Sequence, residues 1–118
     1  MPSLSTHVLD LYHGTPANSV KIDVYFQQKD GPWQLVNTVK TNSDGRCDEP
    51  LVTEDTCQPG TYELVFHIDA YFAAKSVTLP NPNFLTTVPV RFNMANEPLH
   101  YHVPLLVSPW GYQVYRGS

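Results

Sequence analysis

Charge is scarce in this chain, and cysteine is scarcer. Charged residues make up 15% of its 118 positions, with 7 Lys and Arg against 11 Asp and Glu, for a formal net charge of −4. The few cations form no basic stripe, so the footprint required of a nucleic-acid partner is absent. No apolar run approaches the ~20 residues that span a bilayer. Cys47 and Cys57 are the only cysteines and have no metal-ligand companions nearby. "MPSLSTHVLD" lacks the charged and apolar regions of a secretory leader. The two thiols therefore read as free in a reducing compartment, with the cytoplasm as the default. The last residues are not Ser-Lys-Leu, the peroxisomal address. Repeats, low-complexity tracts and linkers are missing too, which leaves one domain, residues 1–118. Its hydrophobic content of 42% argues against disorder, and this length can bury roughly two-thirds of the unfolded surface.

What is present is alternation. "VKIDVYFQ" sets Val20, Ile22, Val24 and Phe26 on one face, and "TYELVFHID" does the same with Tyr62, Leu64, Phe66 and Ile68. "WQLVNTVK" lies between the turn signals "KDGP" and "TNSDGR", and "TTVPVRFNM" carries a proline that suits an edge strand. Period-2 runs broken by Pro, Gly, Asn and Asp predict an antiparallel sandwich or barrel of about eight strands. One stretch, "AYFAAKS" at 70–76, predicts a short helix stopped by Pro80.

Two strands are apolar on both faces. In "LSTHVLDLY", Leu4, Thr6 and Val8 oppose His7, Leu9 and Leu11; in "LHYHVPLLVS", Leu99, Tyr101, Val103, Leu105 and Val107 oppose His100, His102, Pro104, Leu106 and Ser108. Leucines mixed with histidines suit open water poorly. These faces are expected to meet another subunit, in a homo-oligomer with histidines at the contact.

Single residues say less. His13 in "YHGTP" reads as a loop residue and His67 as structural. His100 and His102 point to the same side of one strand and could ligate zinc. No third ligand stands at a telling spacing, so no metal is expected. Arg46, just past "NSDG", is by itself an ordinary rim arginine.

Taken together, "LSTHVLD", "TNSDGR", "YFAAK" and "HYHVPLLVSPWGYQVYRGS" closely resemble the transthyretin-like family of 5-hydroxyisourate hydrolases, the ring-opening enzymes of urate breakdown. The likeness runs from Leu4 to Ser118 and is most specific in the closing YRGS; it departs between residues 80 and 98. It implies an all-β, transthyretin-like sandwich of two four-stranded sheets with one short helix. It also implies a homotetramer, a dimer of dimers whose active sites lie in the channel between dimers, and no cofactor. By motif, the catalytic residues are His7, Arg46 and His102, while Tyr115, Arg116, Gly117 and Ser118 close the substrate pocket. The α-carboxylate of Ser118 would serve as acceptor or as counter-charge to Arg116.

The chemistry fits those residue types. Hydrolysis of a cyclic amide needs a neutral imidazole to take water's proton, and a fixed cation or N–H donor for the oxyanion. Planar Arg46 or Arg116 can pair with a flat, urea-like substrate. His102 is assigned as base, Arg46 as the group that keeps it neutral or polarises the substrate, and His7 as proton shuttle. The two histidine roles can be exchanged on sequence alone. The alternative is a transthyretin-type carrier holding a small hydrophobic ligand in the same channel, which shares fold and assembly.

Overall fold

Alternating burial organises the strands Ser3–Asp10, Lys21–Gln27 and Gly60–Phe66, as the first of them shows. In β1 (Ser3–Asp10), Leu4, Thr6, Val8 and Asp10 are buried while Ser3, Ser5, His7 and Leu9 are half-buried. The computed structural model describes residues 3–53, 57–96 and 100–117. The strands that follow are β2 (Thr15–Pro16), β3 (Lys21–Gln27), β4 (Trp33–Lys40) and β5 (Gly60–Phe66). After α1 (Ile68–Ala74) come β6 (Val88–Met94), β7 (His100–Ser108) and β8 (Gly111–Val114). They form two four-stranded sheets, ordered β2-β1-β7-β8 and β4-β3-β5-β6. The chain is thus an all-β sandwich with one short helix. Between the sheets lie Leu4, Val8, Ile22, Val24, Leu64, Phe66, Leu105 and Val107, all fully buried. Each such side chain contributes about 1.5–3 kcal/mol. Proline-bearing β6 pairs only with β5 and is the expected edge. Leu99, placed by its pattern on the core face of β7, lies outside the described residues.

One pairing departs from the antiparallel rule. β1 and β7 run parallel, with Ser5 opposite His102 and His7 opposite Pro104. That register puts Ser3, Ser5, His7, His100 and His102 on one outer face.

The helix sits two residues earlier than its composition suggests. Ile68, Tyr71 and Phe72, spaced i, i+3, i+4, are its buried stripe, so Ile68 leaves the strand pattern for the helix. Pro80 does not end it. Ser76 adopts φ 59°, and its N–H bonds to Ala73 O (3.0 Å) while Val77 N–H reaches Phe72 O (3.1 Å). This is a Schellman closure with serine in the left-handed position usually given to glycine.

Candidate active site

The turn after β4 brings Arg46 to the histidine face. The Asn42 side chain accepts from the N–H groups of Asp44 (2.9 Å) and Arg46 (3.2 Å), winding "NSDGR" into a tight loop. Gly45 takes φ +75°, and its carbonyl accepts from Val8 N–H at 2.8 Å. A β-carbon there would stand 2.4 Å from Val8 O and 3.2 Å from His7 Cδ2. Only glycine lets the loop lie so close to β1, and that closeness sets Arg46 beside His7. The chain then follows β1, where Leu51 N–H bonds Leu4 O at 3.2 Å. Between them is a groove of about 260 Å³ lined by Ser3, Ser5, Arg46, Asp48, Glu49 and His100.

His102 occupies the centre. Its Nδ1 is 2.8 Å from Ser5 Oγ, and the same hydroxyl is 2.9 Å from His100 Nε2. His100 Nδ1 in turn lies 2.5 Å from Ser3 Oγ. Gly117 covers the ring from the other side: its N–H donates to His102 O at 2.7 Å. A β-carbon at Gly117 would meet His102 Cδ2 at 2.7 Å. Burial, then the positive charge of Arg46, then His100 and His7, hold the His102 imidazole below its ordinary pKa. It is therefore a neutral ring at neutral pH.

Three of the residues singled out in the sequence, His7, Arg46 and His102, are thus brought together, with Gly117 as a lid. Among the described residues the His7 ring and the Arg46 guanidinium have no hydrogen-bond or ion-pair partner, which leaves both free for a ligand. Tyr115 and Arg116 stand apart in the single chain. The Arg116 guanidinium lies 4.3 Å over the Tyr101 ring, on the core side of β7. With Tyr115 it lines a separate cavity of about 380 Å³ between β6 and β8. Ser118 lies outside the described residues. Among those residues no three His, Cys, Asp or Glu side chains gather as a metal-ligand set.

Ser3 and Ser5 were missed in the sequence: their spacing puts them on the His7 face at i−4 and i−2, but only the pairing with β7 sets them against His100 and His102. The remaining histidines are tied to carboxylates. His13 Nδ1 is 2.5 Å from Asp10 Oδ2, and His67 Nε2 is 2.8 Å from Asp23 Oδ2.

Comparison with known proteins agrees with this fold. The HIUase/Transthyretin family model matches residues 4–117. A 5-hydroxyisourate hydrolase of Rhizobium meliloti is 54% identical over 98% of this chain and 95% of its own. One from Pseudomonas aeruginosa is 47% identical over 100% and 93%. Among solved structures, Klebsiella pneumoniae 5-hydroxyisourate hydrolase superposes at TM-score 0.81 with 30% identity, over the whole of both chains. Sea bream transthyretin in complex with thyroxine gives TM-score 0.87 with 31% identity, over 98% of this chain and 94% of that one. An (S)-allantoin synthase reaches TM-score 0.92 with 39% identity; 99% of this chain covers 44% of that longer one.

Proposed function

The chain belongs to the HIUase/Transthyretin family, and from that premise we propose that it is a hydrolase opening the ring of 5-hydroxyisourate. The product is the ureido-imidazoline carboxylate 2-oxo-4-hydroxy-4-carboxy-5-ureidoimidazoline. The observation that carries the reading is a half-buried imidazole, His102, kept neutral beside an unpaired guanidinium and a second free imidazole. With Nδ1 held by Ser5, His102 has only Nε2 left to take a proton from water. Arg46 polarises the attacked carbonyl and stabilises the oxyanion. His7 relays a proton to the departing ring nitrogen. Gly117 closes one wall, whereas Tyr115 and Arg116 line the separate cavity between β6 and β8 in the single chain and are assigned no part in this step. No step calls on a cofactor.

The assembly we propose is a homotetramer with the histidine face at a subunit contact. Leu9 and Leu106 lie on that face, and the turns at its end expose Leu11, Tyr12 and Trp110, with Tyr12 and Trp110 rings 6.3 Å apart. A monomer would leave this apolar surface wet. Light scattering at micromolar concentration should give about four times the chain mass of 13.3 kDa; a lone active chain would refute the shared-channel arrangement. No helix among the described residues is long and apolar enough to cross a membrane. The two unpaired cysteines favour the cytoplasm.

The carrier reading draws on the thyroxine-bound transthyretin. Against it, three histidines and an arginine make this face polar where a hydrophobic ligand needs apolar walls. The deciding experiment adds the protein to 5-hydroxyisourate freshly made from urate. We expect loss of its absorbance well above the spontaneous rate. Decay at the buffer rate by folded oligomer would exclude the hydrolase.

A further inference from the structure

The contacts around His102 run on in an unbroken line. Ser3 Oγ, His100 Nδ1, His100 Nε2, Ser5 Oγ and His102 Nδ1 follow one another at 2.5, 2.9 and 2.8 Å across the two hydrogen-bonded strands. Register builds it. Ser3 is opposite His100 and Ser5 opposite His102, so hydroxyls and imidazoles alternate along one face. The two ring planes, 18° from parallel with centroids 6.3 Å apart, share no direct hydrogen bond. Among the described residues, Ser5 is the group that bonds to both.

A hydroxyl has one proton to donate, so the line has a direction. If Ser5 donates to His100 Nε2, its oxygen accepts from His102 Nδ1–H. His102 Nε2 then carries a lone pair, and His100 Nδ1–H donates to Ser3. That is the tautomer a base needs. The opposite direction places the proton on His102 Nε2 and makes it an acid.

From this geometry we infer that Ser5 and His100 form a proton relay for His102, exporting to His100 the proton that His102 takes from water. The inference rests on the hydrolase reading above. The balance is simple. An O–H bond of water breaks as His102 Nε2–H forms. His102 Nδ1–H passes to Ser5 Oγ, and the Ser5 hydroxyl proton passes to His100 Nε2. Water has lost one proton, His100 has gained one, and His102 and Ser5 are neutral again with the line reversed. When the ring nitrogen leaves, His102 Nε2–H gives its proton to His7, which relays one to that nitrogen, and the line runs back.

The electrostatics explain the need for such a relay. His102 is half-buried and faces Arg46 and His7, which oppose a charge on its ring. His100 is exposed and lines a groove that also holds Asp48 and Glu49. The positive charge is therefore moved from a half-buried ring that Arg46 and His7 oppose to one at the surface. His100 and Ser5 are positioning residues: neither is assigned a contact with substrate.

The test uses the full chain with Ser5→Ala, Ser5→Thr and His100→Gln. Ser5→Ala and His100→Gln should lower kcat by about 10- to 100-fold with KM unchanged. Ser5→Thr, which keeps the hydroxyl, should return it to within about threefold of wild type. The solvent isotope effect should fit several protons in flight for wild type and one for Ser5→Ala. Imidazole nitrogen NMR of the unmodified protein supplies a readout independent of turnover: His102 should carry its proton on Nδ1, and His100 and His102 should titrate as a coupled pair. Wild-type turnover with an unchanged kcat, pH profile and isotope effect in Ser5→Ala would overturn the relay and spare the hydrolase. So would a Ser5→Thr variant no better than Ser5→Ala, or two histidines titrating independently. A wild-type protein that leaves 5-hydroxyisourate untouched would remove the hydrolase, and the relay's purpose with it.

Discussion

The two ends of β1 treat histidine in opposite ways. At its C-terminal end, His13 and Tyr71 both bond to Asp10 Oδ2, at 2.5 and 2.6 Å, and the His13 backbone N–H takes Oδ1 at 3.0 Å. Asp10 is fully buried, and both of its carboxylate oxygens accept hydrogen bonds. Nearer the middle of the strand, His7, His100 and His102 face hydroxyls and a guanidinium, with no carboxylate in hydrogen-bond contact. A carboxylate partner fixes a histidine as part of the frame. The hydroxyl and cation neighbours of His102 leave its ring neutral and available. Residue type alone does not separate the two uses; the partner does.

The sharpest way to break the comparison is at its reactive end. His102→Ala should lower turnover by about 10²- to 10⁴-fold while the urea midpoint stays within experimental error, since the ring supports no buried knot. Unfolding of that variant would show that His102 belongs to the frame after all. Arg46→Gln should lower kcat by about 10²-fold. It should also move the acidic limb of the pH–rate profile upward. The sign follows from the cation's role: Arg46 helps hold His102 below the ordinary imidazole value, so the base stays deprotonated to lower pH, and removing the charge releases it. A limb that stays put would place Arg46 outside the field of His102.

At the structural end the effects should appear in stability. Asp10→Ala strands the Tyr71 hydroxyl and should cost about 3 kcal/mol by urea unfolding. Burial opposes the Asp10 charge, but bonds from Tyr71 and His13 outweigh it, so its folded pKa lies below the ordinary carboxylate value. Its contribution is therefore complete above the unfolded pKa and is lost as pH falls through the folded one. The wild-type acid transition should reflect this, and a flattened profile is expected in the variant. Gly117→Ala, whose β-carbon would press on His102, should cost about tenfold in kcat with little change in midpoint. His67→Ala should be the mildest. Its bond to Asp23 is partly exposed, and its loss should cost at most about 1 kcal/mol with turnover intact.

Much of this was legible in the sequence because period-2 patterns translate directly into faces. Leu4, Thr6 and Val8 read as core and are core; β4 spans the whole of "WQLVNTVK". The helix was shifted because Ile68 satisfies the strand alternation and the helical stripe equally well, and only packing decides between them. His7, Arg46 and His102 were legible by resemblance, since no local rule links three positions so far apart in the chain. Ser5 went unread because its meaning depends on a parallel register with β7 that alternation within one strand does not encode. The separation of Arg116 from Gly117 likewise follows from which side of the last strand each residue takes.

The parallel pairing of β1 with β7 also sets an order in time. Ser5 and His102 are 97 positions apart, so at a synthesis rate of 5–20 residues per second β1 waits about 5–20 s for its partner. The β4-β3-β5-β6 sheet, joined through nearer neighbours, can form during that wait. The sheet that does the chemistry cannot, and until β7 arrives the Leu4 and Val8 side of β1 has no sheet of its own to complete. The active site is thus the last part of the molecule to come into being, and the early strand that carries His7 is the part most in need of protection from aggregation during synthesis.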